Sequence, residues 1–237
     1  MGNLTAALGG FHGRVPEVIH ADGFRTTGIT LFQCWSETMV VQPVIEGMLG
    51  YSPDALGSGM TIAPRLPADW KTIRVDQLVA GKTHAGFEME KTAGQVVYHF
   101  HPDGQLHVKF RPTFNIGPVV KGLSVNGLEM EFKAFSEGSY VTVETAFDLN
   151  GTAEVVIYLD EGIAPLPAWK LAEDGAPSTG MVILGHRLEN GKLVVTVQGH
   201  AGTVDHLRIY DPSGTVRTVP VDFPAGKSPY VTRELVF

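Results

Sequence analysis

A change of hydrophobic period near residue 60 constrains this chain more than any other feature. From Met60 onward, short apolar runs alternate with polar residues and are cut at close intervals by glycine, proline or an Asn-Gly pair. In Val141-Thr142-Val143-Glu144-Thr145 one face is apolar and the other polar, the period of two that a half-buried strand requires. Strands are expected at 70–79, 86–91, 95–101, 106–110, 128–132, 140–147 and 154–159. After a proline-rich stretch at 163–177 they resume at 181–188, 192–198 and 207–210. Pro102-Asp103-Gly104, Asn126-Gly127 and Asn190-Gly191 read as hairpin turns between successive strands. The 28 glycines and 15 prolines fall mostly between the apolar runs, where turns need them.

Before residue 55 the period is helical. Leu4-Thr5-Ala6-Ala7-Leu8 followed by Gly9-Gly10 reads as the last turns of a helix stopped by glycine. An irregular loop of Gly, His and Thr follows over 11–31, long enough to suggest a functional segment. Trp35, Met39, Val40, Val44, Ile45 and Met48 then recur at helical spacing, predicting a second helix over 33–49 that Gly50 ends and Pro43 kinks. The division expected is therefore 1–55, helical, and 56–237, a β-sandwich region whose sheets fall into two groups divided near 163–180.

Composition removes several function classes. A net charge of −7 with no basic run disfavours nucleic acid, whose phosphates require clustered Lys and Arg. One cysteine, Cys34, excludes an intrachain disulfide and a zinc–thiolate cluster. Residues 1–10 lack the basic and apolar regions of a secretory signal, and no apolar run approaches the length of a membrane span. The expectation is a soluble chain, cytoplasmic as given, with no membrane, metal or cofactor partner.

The loop carries the acid of interest. Pro16 holds the backbone extended before Glu17, and Gly10, Gly13 and Gly23 let the loop turn sharply. Glu17 could supply one of the two carboxyl groups that glycoside hydrolysis needs; the plainer alternative is a solvated loop glutamate. His12, His20 and Asp22 flank it as pocket-lining or solvated residues, and Asp22 sits too near along one loop to serve as the opposing catalytic carboxylate. His99 and His101 lie two apart on one strand with His107 nearby, a spacing open to a metal and equally natural for surface histidines. Cys34 reads as an inert thiol, having no basic neighbour. Tyr51, Trp70, Phe87, Tyr98, Phe100, Phe110, Phe114 and Phe132 could stack on sugars, though in a sandwich such rings more often fill the core.

Taken together, Val15-Pro16-Glu17, Gln33-Cys34-Trp35-Ser36, Gly47-Met48-Leu49-Gly50, Asp54-Ala55 and Ala63-Pro64-Arg65-Leu66-Pro67-Ala68-Asp69-Trp70 resemble the C-terminal end of the six-hairpin, (α/α)6-barrel glycosidases, the glucoamylase, glycogen-debranching and α-L-rhamnosidase-like enzymes. The resemblance covers about residues 11–80. It implies a two-helix remnant of the barrel followed by the family's β-sandwich, a carbohydrate substrate, Glu17 as general base, and Trp35 as a wall of the sugar site or a packing residue. Such a barrel needs many more helices than fit before the strands, and its general acid lies upstream of this segment. The resemblance therefore implies a C-terminal fragment, inactive alone, whose helical face calls for a separate chain or for self-association. A catalytic role predicts Glu17 at a concave surface above Trp35. The alternative, a non-catalytic β module for glycan binding or for packing on a partner domain, predicts exposed coplanar aromatics.

Overall fold

The computed structural model describes residues 38–39, 41–54, 57–137, 139–160, 162–166 and 180–237. Within them the chain forms two β-sandwiches in succession, the mainly β, antiparallel fold the alternation predicts. The first contains β1 (Ser52–Pro53), β2 (Gly59–Ile62), β3 (Thr72–Ala80), β4 (Thr83–Thr92), β5 (Gln95–Phe100), β6 (Gln105–Phe110), β7 (Thr113–Phe114), β8 (Val119–Val125), β9 (Leu128–Glu129), β10 (Lys133–Glu137), β11 (Tyr140–Asn150) and β12 (Ala153–Asp160). Its front sheet runs β1-β2-β6-β11-β10, with β7 also on β11, and its back sheet runs β3-β4-β5-β12-β8-β9. The pairing is antiparallel apart from β2 on β6. The second contains β13 (Ala164–Leu166), β14 (Val182–Glu189), β15 (Lys192–His200), β16 (Thr203–Tyr210), β17 (Val216–Phe223) and β18 (Tyr230–Val236), in sheets β13-β16-β17 and β14-β15-β18.

Alternation builds the first core. On β6, Leu106, Val108 and Phe110 are buried while Gln105, His107 and Lys109 face water. Phe110 of the front sheet meets Tyr98 of the back sheet edge-on at 4.9 Å between centroids, and Phe100 meets Phe147 at 6.0 Å. These tilted ring pairs interlock the two layers and add to the burial of large apolar surface. The second core is mainly aliphatic: Leu193, Val195, Val197, Leu207, Ile209 and Val221, with Phe223. It also takes in Ile116, which lies between β7 and β8; Ile116 and Ile163 exchange backbone hydrogen bonds of 3.1 and 2.9 Å.

A second tie joins the sandwiches. Ala68 packs with Ala164, Leu166 and the fully buried Tyr210, and Arg208 pairs with Asp69 at 3.2 Å. Lys91 donates to the Ala68 carbonyl at 3.0 Å and lies 4.5 Å from the Tyr210 ring centre. The Leu66-Pro67-Ala68-Asp69-Trp70 segment is thus a clasp between the two sandwiches.

Several expectations change. Asn126-Gly127 and Asn190-Gly191 do close hairpins, with φ positive at both residues (50° and 77°, 51° and 76°) as a type I′ turn demands. Pro102-Asp103-Gly104 does not, because β5 and β6 belong to opposite sheets and this turn carries the chain between layers. The strand expected at 128–132 stops at Glu129: Met130 donates to the Leu123 carbonyl at 2.9 Å, and the chain then leaves the back sheet for β10. β8, β17 and β18 lie outside the expected strands, as do the shorter β1, β2, β7, β10 and β13. β17 contains Pro220, which an edge strand tolerates because one side of its ladder is unpaired.

Of the helix expected over 33–49, residues 38–39 and 41–49 lie among the described residues. Residues 38–39 and 41–42 are helical, and Pro43–Met48 is a π-helical turn in which Leu49 N–H reaches the Val44 carbonyl at 2.9 Å. Pro43 has no N–H to donate, and from it onward the ladder widens to the π-helical spacing. Gly50 ends the turn at φ +57°, where a Cβ would sit 2.4 Å from the Ala63 carbonyl oxygen. Ala63 N–H then donates to Leu49 O at 3.1 Å and Arg65 N–H to Met48 O at 2.8 Å, fastening the helix end to the strand region.

Candidate functional site

Glu17, His20, Asp22 and Trp35, together with His12, Cys34 and Ser36, lie outside the described residues. What the structure describes is the ground on which that segment ends. At the helix end Met39 and Val41 are 73% and 54% exposed, and Val44 is also exposed. At Met48 the helix end borders a recess of about 360 Å³, lined by Met48, Leu66, Pro67, Phe114 and Tyr140 together with Arg65, Thr113 and the buried Asn115. The helix end therefore carries exposed apolar side chains, and its last turn borders a mixed recess.

A larger feature occupies the outer face of the front sheet. There the register sets Lys133 opposite Glu144, Lys109 opposite Ala146 and Thr61 opposite Lys109. Their neighbours along the strands, Ile62, Val108, Phe110, Val143 and Phe147, are buried, so the pleat turns this set outward. The segment from Glu129 to Phe132 forms one wall, held by a 2.9 Å hydrogen bond from Thr145 Oγ1 to the Glu131 carbonyl. The result is a groove of about 950 Å³ lined by Lys109, Arg111, Lys133, Glu129, Glu131 and Glu144 around Met130, Phe132 and Ala146.

Its charges are unevenly committed. Arg111 Nε lies 2.9 Å from Glu144 Oε2, as an ion pair whose N–H is not aligned for a hydrogen bond, and its guanidinium carbon is 5.9 Å from the Phe135 ring centre. Lys109, Lys133, Glu129 and Glu131 have no ion-pair partner among the described residues. Exposed pairs of this kind contribute about 0–1 kcal/mol, so fold stability is a weak reason for six charges on one face. Their chemical capacity is to donate and accept hydrogen bonds in equal measure.

The histidines whose spacing is open to a metal do not converge. His99, on β5, faces out from the back sheet 3.9 Å from Glu154, while His107, on β6, faces out from the front sheet and shares a 2.8 Å hydrogen bond with Asp148. Among the described residues no three His, Cys, Asp or Glu side chains could hold a metal, and no helix is long and apolar enough to cross a membrane. Phe87, Tyr98, Phe100 and Phe110 fill the core, and Tyr51, Phe114 and Phe132 pack against it. Among the described residues the rings exposed to water are Phe135, Tyr140, Tyr158 and Tyr230, spread over three sheets. His186 of β14 meets Tyr140 of β11 edge-on at 5.3 Å; burial pushes its pKa down and leaves Nε2 without a hydrogen-bond partner among the described residues.

The groove was not found from sequence. The outward alternation of β6 is readable, but the pairing that brings Lys133 and Glu131 beside Lys109 depends on the chain changing sheets at Met130.

No protein-family model matches the chain, and no curated protein matches it. Among solved structures it is similar to a GH127 beta-L-arabinofuranosidase from Geobacillus stearothermophilus T6, at 10% identity and a TM-score of 0.31, over 81% of this chain and 34% of that one. This chain thus spans about a third of the length of that enzyme.

Proposed function

We propose that this chain is the C-terminal portion of a glycoside hydrolase acting on α-linked sugars, inactive alone. Residues 1–55 form the end of a helical barrel and 56–237 the β region that supports it. Glu17 serves as general base, with Trp35, His20 and Asp22 around the sugar. Further barrel helices, or a second copy of this chain, cover the apolar face of the helix end. The observation that carries this reading is the helix end: bonded into the strand region at Leu49 and Met48, it carries the exposed apolar side chains Met39, Val41 and Val44. A helix held this way is stabilised when further helices cover it. The glycosidase-like motifs at 15–17, 33–36 and 63–70 supply the chemistry.

Glu17→Gln tests it in the assembly purified from the source cells through a tag after Phe237. Hydrolysis of α-linked aryl glycosides should fall about 100-fold or more while the assembly stays intact, as loss of a general base requires. An unchanged rate sinks the reading. The outer-face groove favours a second reading, a non-catalytic glycan-binding module, because it needs nothing from Glu17.

A further inference from the structure

We infer that the groove on the outer face of the front sheet binds a neutral, hydroxyl-rich strand, a glycan, independently of any chemistry at Glu17. This deepens the second reading above by giving it a site and a ligand class. The first argument is charge balance. Lys109, Arg111, Lys133, Glu129, Glu131 and Glu144 line one groove together, three cations and three carboxylates. A surface of near-zero net charge gives no long-range attraction to a polyanion or a polycation, so nucleic acid and acidic polymers are poor occupants.

The second argument is hydrogen-bonding capacity. Glu144 is engaged by Arg111, but Lys109, Lys133, Glu129 and Glu131 are uncommitted to ion pairs among the described residues. Ammonium groups only donate and carboxylates only accept, whereas each sugar hydroxyl does both; neighbouring hydroxyls can therefore bridge such groups through charge-assisted hydrogen bonds. Between them Met130, Phe132 and Ala146 provide an apolar strip for the C–H face of a sugar ring.

The third argument concerns size and support. About 950 Å³ lies at the upper end of the range for small-ligand sites, and most of the polar side chains stand on or beside paired strands that fix their spacing. A protein partner fits less well, since the centres of protein interfaces are depleted in charge and this groove is charged along its length.

Affinity electrophoresis of the full chain through native gels containing amylopectin, linear arabinan, galactan or arabinoxylan tests the inference. At least one polysaccharide should retard the protein, and the double variant Lys109→Ala with Glu131→Ala should weaken that binding about tenfold or more. Its circular dichroism and melting temperature should stay unchanged. Glu17→Gln should leave retardation intact, so loss of the glycosidase reading and loss of this one are told apart. A folded protein that none of the four gels retards, or retardation unaltered in the double variant, overturns the inference. So does a double variant that loses a helical partner while the wild type binds no polysaccharide.

Discussion

The two sandwiches reach the same architecture with different cores. The first locks its layers with Tyr98, Phe100, Phe110 and Phe147 and needs no apolar side chain from the second to do so. In the main core of the second, one ring is fully buried, Phe223, seated against Gly199, with Phe237 packed at its margin and Tyr210 buried apart in the clasp; the core is completed by Ile116 lent by the first. Their outer faces differ as well: the front sheet of the first presents a charged groove, while β14 and β18 of the second leave Val182, Leu184 and Val236 exposed. The larger sandwich is a self-sufficient platform, and the smaller one leans on it.

Phe110→Ala should break this comparison most strongly. Removing a fully buried ring that touches both layers costs about 3–5 kcal/mol. If the smaller sandwich leans on the larger, urea unfolding of this variant should lower the midpoint of both together, read by NMR signals of Val108 and Val155 in the first and of Val195 and Val197 in the second. A second sandwich that keeps its wild-type midpoint would show it to be self-sufficient. Gly199→Ala attacks the other core: the new Cβ would lie 2.5 Å from the Phe223 ring, and overpacking of this kind costs about 1–3 kcal/mol. Signals of β15 and β17 should shift while those of β5 and β6 stay, and disturbance spread equally over both would contradict the asymmetry. The smallest effect belongs to the clasp. A double-mutant cycle on Asp69 and Arg208, part-exposed partners at 3.2 Å, should return a coupling of about 0.2–1 kcal/mol. A coupling of zero would assign the clasp to Tyr210 and Ala68 alone.

Much of the fold was legible because a half-buried strand writes its period into the chain. The runs at 95–101, 106–110 and 154–159 are observed to within a residue or two. β8 was hidden because Lys121 and Gly122 interrupt its apolar residues; they sit where the strand needs no buried side chain. β17 was hidden by Pro220, a residue that reads as a strand breaker unless the edge position is already known. Pairing was the harder quantity. Pro102-Asp103-Gly104 looks like any hairpin turn, and only packing of two apolar faces decides that β5 and β6 part company. The same holds for the groove, where Glu129 and Glu131 come from a segment crossing between sheets and Lys109 from a strand of the front one. The motif around Glu17 was legible as a motif, and Leu66-Pro67-Ala68-Asp69-Trp70 from the same set has a physical role as the clasp.

Ile116 also sets an order of events during synthesis. It leaves the ribosome more than a hundred residues before Phe223, the last fully buried side chain of the core it belongs to. At ordinary translation rates that interval is roughly 5–20 s. For that time the growing chain carries an isoleucine with its final neighbours still unmade. Gly162 marks the place it waits beside, since a Cβ there would press to 2.4 Å from the Ile116 carbonyl oxygen. A pause in translation before β17 would prolong that exposure, and a chain released early would keep it for good.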